Sequence, residues 1–92
     1  SRAYYAFFDA ASALLLTQGI LARTHAGLIT LFGLYFIKNG KIESKFARFF
    51  RMAKEAREEA DYEVLKKFSK QETKEIIQRA EEFVDYIEKI IQ

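Results

Sequence analysis

Residues 1–18, SRAYYAFFDAASALLLTQ, place apolar side chains around most of a helix circumference. Tyr5, Phe8, Leu15 and Leu16 fall on one side, and Ala3, Phe7, Ala11 and Leu14 cover much of the other. A helix without a broad polar face has to be wrapped by the rest of its chain. Its few polar residues are therefore informative. Arg2, Tyr5, Asp9 and Ser12 follow at steps of three and four, so they share one line of the helix surface.

The chain has 92 residues, half of them hydrophobic, which predicts one domain over residues 1–92. Nine Phe and five Tyr supply a dense core, and proline, the strongest helix breaker, is absent. Cysteine is absent as well, which excludes disulfides, thiolate catalysis and cysteine-bearing zinc sites, and fits a cytoplasmic protein. The longest apolar runs, Ala10–Leu16 and Leu28–Ile37, are shorter than the ~18 residues of a membrane span, so neither a transmembrane helix nor a signal peptide is predicted. Net charge is +2, with the basic excess in residues 1–53 and an acidic excess in 54–92. That asymmetry suits an anionic partner or a dimer pairing opposite faces.

Four helices are predicted. The first runs from Arg2 to Gln18 and stops at Gly19, a residue suited to the left-handed position after a helix end. The second is capped by Thr24, runs from His25 to about Lys38 with Leu28, Leu31, Phe32, Tyr35 and Phe36 in period, and closes at Asn39 and Gly40. The third runs from about Lys41 to Glu59, turning Phe46, Phe49, Phe50, Ala53 and Ala56 inward and Lys41, Lys45, Arg48 and Arg51 outward. Periodicity fails between Ala60 and Phe68, where a loop or irregular helix end is expected. Ser69 and Glu72 then form a capping box, and Ile76, Ala80, Phe83, Ile87 and Ile90, backed by Ile77, Val84 and Ile91, make a packing seam. The predicted fold is all-α, an up-and-down antiparallel bundle of four helices. Because the chain opens on its most apolar helix, a further native N-terminal helix is expected upstream, and the groove it leaves could be filled by another copy.

SRAYYAFF at 1–8, THAGLITLFGLYFIKNG at 24–40, REEADY at 57–62 and AEEFVDYI at 80–87 together resemble the HEPN-domain family, in its small prokaryotic branch. The resemblance implies an all-α bundle, commonly a homodimer, with one more helix before Ser1. It also implies a nucleotide-binding or RNA-cleaving module, in many cases encoded beside a minimal nucleotidyltransferase as a toxin–antitoxin pair. The family's ribonucleases carry an arginine followed after four to six residues by a histidine. Here the sole histidine, His25, has no arginine at that spacing, and the best match is Arg57 followed after four residues by Tyr62. A tyrosine with an ordinary pKa near ~10 is a poor general base at neutral pH.

Arg2, Tyr5, Arg57, Asp61 and Tyr62 are the candidate ligand-binding residues, with Arg57 and Tyr62 the catalytic pair if the protein cleaves RNA. Guanidinium groups hold phosphate by forked hydrogen bonds, and tyrosines stack on a base or bond a ribose. Ion pairs of Arg2 or Arg57 with Asp9 or Asp61, tying helices together, would explain the same residues. His25 reads as an exposed first-turn residue, with a phosphate contact as the functional alternative. Lys41, Lys45, Arg48 and Arg51 could follow a nucleic-acid backbone, or form only the solvated face of a helix. One histidine without cysteines predicts no metal site, and no cofactor motif is present. The leading expectation is a non-catalytic or weakly catalytic nucleotide- or RNA-binding dimer acting with a nucleotidyltransferase. The alternatives are a metal-independent ribonuclease with a degenerate Arg-x4-Tyr motif, and a purely structural dimerisation domain.

Overall fold

The structure, a computed structural model, describes residues 2–62 and 68–91, with side chains omitted at 59–62. Four α-helices make up its frame: α1 (Arg2–Leu16), α2 (His25–Phe32), α3 (Ser44–Tyr62) and α4 (Lys70–Ile91). A π-helical turn, Gly33–Ile37, continues α2. No strand occurs among the described residues.

The apolar first helix buries Tyr4, Phe7, Ala11, Leu14 and Leu15. Tyr5 and Leu16, expected to share a covered side with Phe8 and Leu15, are 41% and 56% exposed, so the buried stripe is rotated toward Tyr4. Packing of α1 chiefly against α4 sets that rotation. Two residues earlier than the expected end at Gln18, the helix ends at Leu16, in a Schellman closure around Gly19 at φ +72°. There Ile20 N donates to Leu15 O at 3.0 Å and Gly19 N to Leu16 O at 2.9 Å.

Thr24 caps α2 as expected, its hydroxyl accepting from Gly27 N at 2.9 Å. The expected regular helix to Lys38 instead widens at Gly33, where Lys38 N donates to Gly33 O at 2.8 Å, five residues back. The apolar spacing of Leu28, Leu31, Phe32 and Phe36 does not distinguish a four-residue from a five-residue hydrogen bond. Next, α3 starts at Ser44 rather than Lys41, because Gly40 at φ +76° and the bend after it carry the chain through Ile42, which is buried. Helical backbone extends to Tyr62, beyond the expected end at Glu59, and residues 63–67 of the expected loop lie outside the described residues.

Phe83 of α4 anchors the core, its ring lying 5.3–5.5 Å from those of Phe7, Phe32 and Phe46. Phe7 stacks on Phe50 at 5.4 Å, joining α1 to α3. Phe46 also meets Tyr86, and Arg79 lies over Phe49, so α3 and α4 run antiparallel. The capping box forms in both directions: Glu72 N donates to Ser69 Oγ at 3.1 Å and Ser69 N to Glu72 Oε1 at 2.9 Å. Ile76, Ala80, Phe83 and Ile87 are buried, whereas Ile77, Ile90 and Ile91 remain 43–49% exposed. No described helix is long and apolar enough to cross a membrane.

Candidate functional site

Position 4 of α1 lies in register with Phe7, Ala11 and Leu14, which turns the Tyr4 ring into the core at 1% exposure. A buried tyrosine needs a partner for its hydroxyl. That partner is His25 Nδ1, at 2.9 Å. The connection from α1 to α2 returns His25, the first residue of α2, to the opening turns of α1. Its imidazole packs 4.5 Å from the Phe8 ring and 5.7 Å from that of Tyr4. His25 is exposed, as expected of a first-turn residue, yet it is held on one edge.

The same tyrosine pair receives Arg57 from α3. Its guanidinium lies 5.7 Å from the Tyr4 ring centre and 5.5 Å from that of Tyr5, while the two tyrosine rings meet edge to face at 5.4 Å. One turn before, Lys54 forms an ion pair with Glu58 at 2.9 Å. Burial raises the Tyr4 phenol above its ordinary value, and the positive charges of Lys54 and Arg57 act in the opposite direction. At neutral pH Tyr4 is therefore a neutral hydroxyl. It can donate to His25 Nδ1, leaving the proton on Nε2, or accept from a protonated Nδ1.

Of the residues singled out in the sequence, Tyr5 and Arg57 meet in this cluster. Arg2 lies in an open groove of about 440 Å³ between α1 and α4, facing Glu81 and Asp85, with no ion pair to a described carboxylate. Asp61 and Tyr62 belong to the last turn of α3, and their side chains lie outside the described residues. Lys45, Arg48 and Arg51 line a shallow depression of about 450 Å³ with Ser44. Lys41 precedes α3, its ammonium 5.9 Å over the Phe36 ring, and so leaves the helical stripe in which the spacing put it. Sequence reasoning missed Tyr4 and the link to His25. The available signal was the inward register of Tyr4, whose hydroxyl required a polar partner. Among the described residues no group of three or more His, Cys, Asp or Glu gathers to hold a metal.

The HEPN domain family model matches residues 1–90. The chain belongs to the HEPN domain family. It is 44% identical, over its whole length and 68% of the relative's, to a Methanocaldococcus jannaschii protein named "Putative toxin MJ0605". It is 38% identical over its whole length to a "UPF0332 protein" of Thermotoga maritima, covering 70% of that chain. A "UPF0332 protein" of Archaeoglobus fulgidus is 39% identical over 91% of this chain and 66% of its own. No solved structure matches the chain significantly. Within the HEPN domain, the Tyr4–Tyr5–His25–Arg57 cluster draws on three helices, so it depends on the assembled bundle.

Proposed function

We propose that this chain is a nucleotide- or RNA-binding HEPN module of the toxin type, non-catalytic or weakly catalytic, that works as a homodimer with a nucleotidyltransferase partner. The observation that carries the reading is Arg57 lying against Tyr4 and the half-exposed Tyr5. A guanidinium offers phosphate a planar fork of donors, and an adjacent accessible phenol ring offers a base a stacking surface. The toxin-type assignment is supported by the name of the Methanocaldococcus relative. The nucleotidyltransferase partner rests on the family resemblance alone. The homodimer is supported by the exposed isoleucines of α4, and light scattering giving a monomer would count against it.

A second reading, metal-independent RNA cleavage, is favoured by the His25–Tyr4 hydrogen bond. It brings an imidazole to the tyrosine that Arg57 also contacts, although no Arg-x4-6-His motif exists in the sequence. An imidazole can move a proton near neutral pH, which Tyr62 in the Arg57-x4-Tyr62 match does poorly. Calorimetric titration with ATP and with a short RNA tests both readings. Arg57→Ala is expected to weaken both ligands about tenfold, a loss comparable to a charge-assisted hydrogen bond. Unchanged affinity would turn Arg57 into a helix tie. RNA cleavage that disappears equally in Arg57→Ala and His25→Ala would establish the enzyme, and identical background in all three proteins would remove it.

A further inference from the structure

Arg57 ends a series that the linear grouping of Lys41, Lys45, Arg48 and Arg51 does not contain. Lys45, Arg48, Arg51, Lys54 and Arg57 stand three residues apart along α3. Three residues fall about 60° short of a full turn, so the five cations form a slanting ridge rising ~18 Å along the helix. Neighbours in such a ridge have Cβ atoms about 5–6 Å apart.

Contacts at the two ends show how the ridge crosses the molecule. Lys45 borders α4, its ammonium 3.3 Å from Glu82 and 4.0 Å from Glu43. Arg57 borders α1 at Tyr4 and Tyr5. Between them Arg48 and Arg51 are exposed and, among the described residues, neither is paired with a carboxylate. The Arg48 guanidinium is held 4.9 Å over the Phe49 ring. Lys54 engages Glu58 in a solvent-screened surface pair, which an arriving phosphate can displace. The depression lined by Ser44, Lys45, Arg48 and Arg51 opens on the same surface.

We propose that this ridge is a phosphate-backbone track that carries a single-stranded polynucleotide of several nucleotides across the solvent face of α3 to Arg57. The inference rests on the reading of the Arg57 cluster as a nucleotide site and extends it from one nucleotide to a strand. A folded acidic protein would also meet positive charge here. The diagonal single file of cations ending at two tyrosine rings fits a flexible strand with regularly spaced charges and stackable bases.

The test is fluorescence anisotropy of the full chain with a labelled twelve-nucleotide oligouridylate over a series of salt concentrations, alongside calorimetry with ATP. Arg48→Gln/Arg51→Gln is expected to weaken the oligonucleotide roughly tenfold at low salt and to flatten the slope of log K against log salt by about 1.4, since each lost phosphate contact removes ~0.7. ATP affinity should stay within about twofold, because one nucleotide does not reach the middle of the ridge. Wild-type affinity and slope in the double variant would overturn the track even if Arg57→Ala still weakened ATP. The reverse result, a weakened oligonucleotide with ATP insensitive to Arg57→Ala, would uphold the ridge as a strand-binding surface and remove the nucleotide site beneath it. A labelled oligoglutamate binding as tightly as the oligouridylate at equal salt would overturn the polynucleotide assignment.

Discussion

Tyr4 occupies two environments at once, with its ring in the core and its hydroxyl on His25 at the surface. Tyr4→Phe keeps the ring and deletes the hydrogen bond. Because His25 is exposed and water can take the vacated place, the expected cost is only about 1 kcal/mol in urea denaturation. The same substitution changes the response to alkali. A phenol whose pKa is raised in the folded protein contributes stability that is intact below its unfolded value, near pH ~10, and is lost as pH climbs through the folded value. Wild-type Tm should therefore fall more steeply than that of Tyr4→Phe as pH rises above about 10; parallel curves would mean that the hydroxyl ionises as freely in the fold as outside it. On α4, Arg79 donates to Glu82 at 2.8 Å and, with Lys45, holds that carboxyl below its ordinary value. Both partners are substantially exposed, so solvent screening leaves this a minor contribution.

At the scale of the element, the helix ends follow local chemistry closely. Thr24, Gly19, Gly40 and the Ser69–Glu72 box act within a few residues of themselves, and each was readable from residue type and spacing. Ser69→Ala should cost about 1 kcal/mol by leaving the Glu72 amide without its acceptor. Gly19→Ala should cost a similar ~1 kcal/mol through its left-handed backbone alone, since an added Cβ meets nothing within 4 Å. Chemical denaturation checks both, and a neutral Gly19→Ala would show that the end of α1 can shift to another closure. Periodicity was less informative about the interior of an element. The π-helical turn at Gly33–Ile37 and the start of α3 at Ser44 arise because Phe36 and Ile42 must both reach the core across a tight connection.

For the whole molecule, Phe83 is the point where three elements meet, fully buried against Phe7, Phe32 and Phe46. Phe83→Ala should cost about 3–5 kcal/mol, a large fraction of the ~5–15 kcal/mol that holds a small domain together. Loss of cooperative unfolding would confirm it, while an unchanged urea midpoint would show that other rings close the gap. The helical class, the caps and most buried positions of α3 and α4 were legible in the sequence, because they depend on neighbours three and four residues away. The pairing of Tyr5 with Arg57 was legible only as two residues of suitable chemistry, since 52 positions separate them in the chain. His25 was legible only as a first-turn residue, since its hydrogen bond to Tyr4 spans 21 positions. Short-range pattern determined by itself what the segments would be: four helices, the caps at Thr24 and Ser69–Glu72, and the placing of Lys45, Arg48 and Arg51 on α3. Only the tertiary structure decided which residues of different helices meet, bringing Tyr4, His25 and Arg57 together and leaving Arg2 in the groove with α4. The physical reason is that helix rotation and docking are set by packing of the whole core, to which every aromatic side chain contributes and which no local spacing encodes.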